Sequence, residues 1–156
     1  MEKILLKNVE VEGSRTLAAA RERGAYVSLG KALEKDPDDI IEEVKTSGLR
    51  GRGGAGFPTG RKWDFMPKEP DPQRPSYLIC NADESEPGTF KDRLIMEEDP
   101  HLLIEGCLIS AYAMRASCVF IYIRGEYTLS VRVLQDAVDE ARATGLVGDN
   151  ILGSGF

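Results

Sequence analysis

Cysteine and histidine are scarce in this chain of 156 residues, and their scarcity argues against several kinds of site. The three cysteines form no C-x-x-C pair and lack the spacing of iron–sulfur cluster ligands, and their odd number does not indicate a disulfide framework. Cys80, Cys107 and Cys118 each lie in an apolar run, so we expect buried, reduced thiols and a reducing compartment. The single histidine, His101, follows Pro100 at a predicted helix start, so we expect a capping or surface role without chemistry.

Long hydrophobic runs are also missing. No stretch reaches the ~18 apolar residues of a membrane-spanning helix, and the apolar part of residues 1–7 is too short for a signal peptide. Residues 4–12 are predicted to form a short strand or an extended arm.

The net charge of −6 argues against general nucleic-acid binding. The length fits a single globular domain.

Glycine, by contrast, is concentrated in one stretch, SGLRGRGGAGFPTGRKWDF, from Ser47 to Phe65. Six of the thirteen residues from Gly48 to Gly60 are glycine. Four cations lie among or beside them: Arg50, Arg52, Arg61 and Lys62. Glycine lets the backbone approach a flat or anionic ligand closely, and the cations can neutralise that ligand. The stretch therefore predicts a nucleotide or dinucleotide site. A flexible linker is the weaker alternative, because linkers combine glycine with serine rather than with arginine and aromatics.

Two familiar nucleotide-binding motifs do not explain this stretch. Its glycines fit the G-x-G-x-x-G spacing at Gly51, Gly53 and Gly56. The Rossmann fingerprint requires a preceding strand, but residues 38–45 read as a helix that Asp36 caps, Pro37 begins and Gly48 ends. A P-loop is excluded because no Lys-Ser/Thr pair follows a G-x-x-x-x-G.

The remaining pattern predicts an α/β fold. A buried strand is predicted at residues 77–80 and a second strand at residues 118–123, and helices are predicted at residues 16–23, 61–65, 89–98, 101–116 and 129–143. This order predicts a crossover with parallel pairing of the two strands. Residues 101–116 are apolar on nearly all sides, which predicts a buried helix. A further strand is predicted to begin at residues 151–156, so we expect the chain to be truncated.

A polar turn follows the first predicted strand, from Asn81 to Gly88. Open α/β sheets bind ligands at the carboxyl ends of their strands. Asp83, Glu84 and Glu86 could instead bind a divalent cation, but no other ligand lies nearby in the sequence, and we predict no metal site.

The two stretches in this order, GLRGRGGAGFPTGRKW and YLICNADESEPGTFKDR, resemble the flavin- and NADH-binding subunit of respiratory complex I. That family, the NADH-quinone oxidoreductase flavoprotein subunits, includes the matching subunits of NAD-linked hydrogenases and formate dehydrogenases. The resemblance covers residues 36–127. It implies a Rossmann-like flavin-binding domain at residues 36–156, with a short parallel sheet flanked by helices, after an approach segment at residues 1–35. The resemblance also implies that family members run further, with a second flavin loop and an iron–sulfur domain that we expect to lie outside the given sequence.

The resemblance also implies the site residues and the cofactors FMN and NAD(H). The implied cofactor-binding residues are Gly51, Arg52, Gly53, Gly54, Ala55, Gly56, Phe57, Lys62, Phe65, Asn81, Asp83, Ser85 and Glu86. Among them, Arg52 and Lys62 would contact the flavin, and Phe57 and Phe65 would stack on adenine, with core packing as their rival role. Glu86, the implied catalytic residue, would contact NADH and disfavour an added 2′-phosphate. Arg50 and Arg61 are equally well read as surface charges.

The implied function is hydride transfer from NADH to FMN, followed by electron transfer to iron–sulfur clusters and quinone. The alternatives are a diaphorase subunit of an NAD-linked hydrogenase or formate dehydrogenase, and a fragment that binds a nucleotide or a partner without turnover. The implied partners are NADH and other oxidoreductase subunits, notably a thioredoxin-like iron–sulfur subunit. The implied location is the cytoplasm, at the inner face of the membrane through those subunits, or the matrix side in a mitochondrion.

Overall fold

The computed structural model describes residues 3–156 and contains seven α-helices and two β-strands in that range. In chain order the elements are α1 (Leu17–Glu22), α2 (Val27–Leu33), α3 (Pro37–Thr46), α4 (Thr59–Trp63), β1 (Tyr77–Ala82), α5 (Lys91–Glu98), α6 (Pro100–Ala113), β2 (Cys118–Ile123) and α7 (Thr128–Ala143). All the predicted helices are present, with bounds shifted by a few residues.

The helix before the glycine stretch begins and ends where local chemistry predicts. The Asp36 carboxylate accepts a hydrogen bond from the Asp38 amide at 2.8 Å, and Pro37 occupies the first turn of α3. Gly48 follows the helix with φ of +68°, a conformation that glycine adopts without strain. Helix α3 therefore delivers the chain into the glycine stretch.

The predicted strand or arm at residues 4–12 is not formed. The backbone makes successive turns there, with hydrogen bonds from Val11 N to Asn8 O at 3.0 Å and from Ser14 N to Val11 O at 3.1 Å. A strand needs a neighbouring strand to accept its backbone hydrogen bonds, and no strand of the described chain pairs with this segment.

Strands β1 and β2 pair in parallel, with Tyr77 beside Cys118 and Ala82 beside Ile123. Helices α5 and α6 make the crossover between them, which confirms the α/β class and the parallel pairing. Residues 77–80 of β1 and all of β2 alternate between exposed and half-buried residues, and β1 ends on the buried Ala82, so the prediction of a buried strand at residues 77–80 is wrong. Helices of the described chain cover one face of the sheet, and the other face exposes large apolar side chains: Tyr77, Ile79, Phe120 and Tyr122.

Helix α6 is the centre of the core, as its apolar surface predicts. It packs against α1, α2, α3, α5, α7 and both strands. Ile104 and Leu108 of α6 meet Leu29 of α2 and Ala137 and Ala141 of α7 in one buried cluster.

His101 lies at the start of α6 but is fully buried, so its predicted capping or surface role is wrong. Its Nδ1 is 2.8 Å from the Tyr26 hydroxyl oxygen, and its Nε2 is 3.2 Å from Oε2 of Glu140. The same carboxylate oxygen accepts a hydrogen bond from the Leu17 amide at 2.7 Å. Burial lowers the pKa of His101, although Glu140 favours the charged imidazole. The histidine links the amino-terminal helices to α6 and α7.

Residues 151–153 form a single 3₁₀ turn, so the predicted further strand is not present there. The turn closes on itself, because the Ile151 amide donates to the Phe156 carbonyl at 2.6 Å. Asn150 and Leu152 have positive φ angles of 57° and 52°, which a strand does not accommodate.

The cysteines differ in burial. Cys107 is buried as predicted, Cys80 is half-buried, and Cys118 is exposed at the start of β2, so the prediction of three buried thiols is wrong for Cys118. Among residues 3–156, no helix is both long enough and apolar enough to cross a membrane.

Candidate functional site

Residues 49–58, which we call the glycine loop, close on themselves through backbone hydrogen bonds. The Gly51 amide donates to the Phe57 carbonyl and the Thr59 amide to the Leu49 carbonyl, each at 2.9 Å. Nε of Arg50 donates to the Gly56 carbonyl at 2.6 Å. Arg50 therefore holds the loop closed and is not simply a surface charge.

Gly53 and Gly54 leave the inner side of the loop bare. A Cβ added to either residue would meet no atom within 4 Å, so the backbone there faces open space. Gly54 has φ of +113°, which side-chain-bearing residues rarely adopt. A flat or anionic ligand can approach the backbone at this point, and a larger side chain would occupy the same space.

Helix α4 anchors the carboxyl end of the glycine loop on α3. A Cβ added to Gly60 would lie 2.6 Å from the Lys45 backbone nitrogen, so the two helices are in direct backbone contact. Lys45 and Lys68 each pair with Asp64 at 2.9 Å, and Lys68 also pairs with Asp38 at 2.9 Å. Hydrogen bonds from Lys45 and Lys68 lower the pKa of Asp64 to about 2.

The polar turn after β1 is ordered by its own side chains. The Asn81 amide oxygen accepts from the Asp83 backbone amide at 3.1 Å, and the Ser85 hydroxyl donates to the Asp83 carboxylate at 2.5 Å. This turn lies at the carboxyl end of a parallel strand, as the sequence predicts.

Glu84 fixes the far side of the turn. Its buried carboxylate accepts from the amides of Asp92 and Arg93 at 2.9 and 3.1 Å and so satisfies the first turn of α5. The Tyr127 hydroxyl donates to the Glu84 carbonyl at 2.7 Å, which ties the turn to the start of α7. Sequence reasoning missed this role, although an acid before a predicted helix start was the available signal.

A cavity of about 800 Å³ lies between the glycine loop and the polar turn. It brings together six of the predicted site residues: Arg52, Gly53, Gly54, Asn81, Asp83 and Glu86. Arg52 forms no ion pair with any residue that the structure describes, so its charge is available to a ligand.

Cys80, Thr89 and Lys91 also line the cavity and were not predicted as site residues. Lys91 lies in the second motif, within FKDR, but neither its residue type nor its position in the motif indicated a contact with a ligand. Its Nζ is 2.7 Å from a carboxylate oxygen of Asp92 and 3.8 Å from one of Glu84. These carboxylates partly neutralise the positive charge of Lys91 at the cavity.

The other predicted site residues lie outside this cavity: Gly51, Ala55, Gly56, Phe57, Lys62, Phe65 and Ser85. Phe57 and Phe65 form an aromatic pair with ring centroids 6.1 Å apart. They are 44% and 73% exposed, so core packing does not account for them. Trp63, between these two residues in the sequence, is half-buried against the cluster that contains Ile41.

The geometry suits a flat anionic cofactor. Small-molecule sites commonly have volumes of ~300–1,000 Å³ with a few convergent polar groups, and this cavity lies within that range. Bare loop backbone and an unpaired guanidinium face amide and carboxylate oxygens at the end of a parallel strand. These features define an α/β domain with a nucleotide-cofactor site.

Comparison with known families agrees with this class. The Nuo51 FMN-binding domain family, of the complex I 51K type, matches residues 44–152. The chain belongs to this family, and the resemblance predicted from the two motifs is confirmed.

Three relatives show the extent of the match. The chain is 56% identical over 156 residues to an NADH-quinone oxidoreductase F-type subunit of Rhizobium meliloti, covering 99% of this chain and 37% of that protein. It is 54% identical to the corresponding F-type subunit of Aquifex aeolicus, over 98% of this chain and 35% of that protein. It is 51% identical to the mitochondrial NADH dehydrogenase flavoprotein 1 of Dictyostelium discoideum, over 97% of this chain and 32% of that protein. The chain thus spans about a third of the length of these relatives.

A solved structure shares the fold. The chain superposes on a chain of an NAD⁺-reducing [NiFe]-hydrogenase with a TM-score of 0.66 and 38% sequence identity. The match covers 92% of this chain and 23% of the hydrogenase chain.

Proposed function

We propose that this chain is the FMN- and NADH-binding part of an NADH dehydrogenase flavoprotein subunit. The observation that carries the proposal is the cavity in which the glycine loop, with the unpaired Arg52, faces the polar turn after β1. The whole protein would transfer a hydride from NADH to FMN and pass the electrons to iron–sulfur clusters and quinone.

The residues of the cavity fit FMN. Arg52 would neutralise the phosphate, and the backbone of Gly53 and Gly54 leaves room for close approach. Asn81 and Asp83 would hydrogen-bond the ring or the ribityl chain, with Ser85 holding the Asp83 carboxylate. Bound FMN supplies the hydride acceptor and releases electrons one at a time. The proposed roles of Lys62 and of the other residues outside the cavity rest on the family resemblance.

NADH would bind along the outer side of the loop. The exposed rings of Phe57 and Phe65 form a surface on which adenine can stack. Glu86 lines the cavity and is exposed, so its carboxylate can accept a hydrogen bond from a ribose hydroxyl. The same negative charge disfavours a 2′-phosphate, and we therefore propose a preference for NADH over NADPH.

The hydrogenase similarity favours a second candidate of the same chemistry. A diaphorase subunit of an NAD-linked hydrogenase or formate dehydrogenase would use the same cavity with other neighbouring subunits. The family relatives named as NADH-quinone oxidoreductase subunits are more similar in sequence, which supports the complex I context. In either context we propose other oxidoreductase subunits as partners, including a thioredoxin-like iron–sulfur subunit. We also propose a cytoplasmic or matrix location at the membrane surface.

An anaerobic titration tests the proposal. The purified chain is mixed with FMN, the dissociation constant is measured by quenching of flavin fluorescence, and NADH is then added. We expect FMN to bind and its visible absorbance to bleach with NADH. Arg52→Gln should weaken FMN binding by about tenfold or more. Arg74→Gln, in the exposed loop before β1, is the matched control and should leave FMN binding unchanged.

Two results would contradict the proposal at different points. A folded chain that does not bind FMN would contradict the assignment of the cavity. Bound FMN that NADH does not bleach would contradict hydride transfer by this chain and would favour the non-catalytic alternative.

A further inference from the structure

Cys80 and Cys107 lie on neighbouring elements of the core. Cys80 is on β1, on the side of the sheet that α6 covers, and Cys107 occupies the middle of α6. Both side chains line one apolar cavity of about 330 Å³ between β1, α5 and α6. Cys118, the third cysteine, is exposed on β2 beside Tyr77 and not beside Cys80. Cys107 and Cys118 also line a common cavity of about 500 Å³, but Cys118 belongs to the exposed residues of β2, whereas Cys80 lies on the face that α6 covers. The fold therefore favours Cys80 as the partner of Cys107.

The pair is accessible to small molecules from two sides. Cys80 also lines the cofactor cavity, near Gly53 and Asn81. The apolar cavity reaches both thiols and includes Leu78 and Leu103. Cys80 is half-buried and Cys107 is buried, so a reagent reaches the Cys80 sulfur first.

The two thiols differ in acidity. The neighbouring Cys107 thiol lowers the pKa of Cys80, against the effect of burial. The Cys80 thiol and burial raise the pKa of Cys107. A more acidic, partly accessible thiol beside a protonated partner is the arrangement found in redox-sensitive cysteines with a resolving thiol.

We propose that Cys80 and Cys107 form a dithiol site for two-electron oxidation by hydrogen peroxide, with a disulfide between β1 and α6 as the product. The Cys80 thiolate attacks one peroxide oxygen, the O–O bond breaks, and hydroxide leaves to take up a proton as water. The resulting sulfenic acid at Cys80 is attacked by the Cys107 sulfur, the S–O bond breaks, and a second water leaves. Two thiols and one peroxide thus give one disulfide and two waters.

The product would act on the cofactor cavity. Asn81 follows Cys80 directly in the chain and lines the same cavity, so a covalent link from Cys80 to α6 constrains the start of the polar turn. Oxidation itself needs neither FMN nor NADH, so the inference stands independently of the proposed function.

The test uses the chain with Cys118→Ser, which removes the exposed thiol. The folded protein is treated with hydrogen peroxide, denatured, alkylated with iodoacetamide and analysed by intact and peptide mass spectrometry. We expect neither remaining thiol to be alkylated, a mass lower than that of the reduced chain by two hydrogen atoms, and a single peptide that links Cys80 to Cys107. Dithiothreitol should restore both thiols. Two thiols that remain fully alkylatable after treatment of the folded chain would overturn the proposal.

Two further variants separate the roles of the thiols, with circular dichroism as the check on folding. In Cys107→Ala with Cys118→Ser, we expect Cys80 to stop at the sulfenic acid and to be labelled by dimedone. In Cys80→Ala with Cys118→Ser, we expect Cys107 to remain reduced. Equal oxidation of Cys107 with and without Cys80 would overturn the assignment, as would cross-linking only between chains.

Discussion

At the scale of single residues, Gly54 carries the sharpest prediction. Gly54→Val should lower FMN affinity by more than about tenfold, because its side chain would enter the space left beside the bare backbone. Gly148→Val is the matched control, since Gly148 has φ of +123°, meets no atom within 4 Å of an added Cβ, and lies outside the cofactor cavity. Fluorescence titration and thermal unfolding of both variants separate lost binding from backbone strain. Unchanged FMN binding by Gly54→Val would contradict the loop assignment.

Glu86 tests the proposed NADH contact. Glu86→Gln should weaken NADH binding by about tenfold, since a hydrogen bond to a charged group contributes ~1.5–3 kcal/mol. FMN binding should change by less than about twofold. Separate titrations with FMN and with NADH measure both, and Glu69→Gln in the exposed loop before β1 serves as the control. Equal losses for the two ligands would place Glu86 in another role.

The residues of the site were partly predictable. The glycine stretch and the polar turn are local patterns that predicted a nucleotide site. The family resemblance implied the individual residues, of which Arg52, Gly53, Gly54, Asn81, Asp83 and Glu86 share the cavity. The role of Arg50 depends on the loop closure, which the motif does not encode. The role of Glu84 was missed, although an acid before a predicted helix start indicated it. Lys91 is the first residue of α5 and lines the cavity because of the position of that helix, which the sequence pattern does not specify.

At the scale of elements, the contact between α3 and α4 positions the glycine loop. Gly60→Ala should destabilise the chain by about 1–3 kcal/mol, because the added Cβ would lie 2.6 Å from the Lys45 backbone nitrogen. Gly30→Ala in α2 is the matched control, since its Cβ would meet nothing within 4 Å. That control should stabilise the chain by up to about 1 kcal/mol. Urea unfolding measures both, and similar stability of the two variants would contradict the proposed backbone contact.

The link between Tyr26, His101 and Glu140 predicts a pH dependence of stability. The pKa of His101 in the folded chain lies below its ordinary value of 6.5, with Glu140, Asp99 and Arg21 as the facing charges. The unfolded chain therefore binds more protons than the folded chain just below pH 6.5. The contribution of His101 to stability should be constant above that pH and should decrease as the pH falls below it.

His101→Gln isolates this contribution. It should be less stable than the unmodified chain at pH 7 by about 1–3 kcal/mol, since the buried partners lose hydrogen bonds. Between pH 6.5 and 5 its stability should fall less steeply, because glutamine does not titrate. Urea unfolding across this range measures the difference, and parallel pH profiles would show that His101 does not control it.

Among the elements, the helices were the easiest to predict. Asp36 and Pro37 predict the start of α3 from local chemistry, and the helix begins at Pro37 in the structure. The burial of His101 was not predictable, because its partners are 75 and 39 residues away in the sequence. The strands were found, but their one-sided exposure depends on which elements cover the sheet.

At the scale of the whole molecule, the two faces of the sheet should respond differently to substitution. Ile79 is 65% exposed on the open face, whereas Leu78 beside it is half-buried towards α6. Ile79→Thr should change the free energy of unfolding by no more than about 0.5 kcal/mol. Leu78→Thr should lower it by about 1–3 kcal/mol, because a hydroxyl replaces apolar packing. Equal effects in urea unfolding would contradict the one-sided core.

The parallel pairing of β1 and β2 has a consequence for the order of folding. The paired residues are about 40 positions apart, with α5 and α6 between them, so closing this pair carries a large loop entropy cost. Contacts of α6 with α5 and α7 involve shorter closures and should form earlier, whereas its contacts with α1, α2 and α3 close longer loops. The cofactor cavity needs both the end of β1 and the glycine loop that follows α3, so it would be completed late, and flavin binding would report the arrival of the native state.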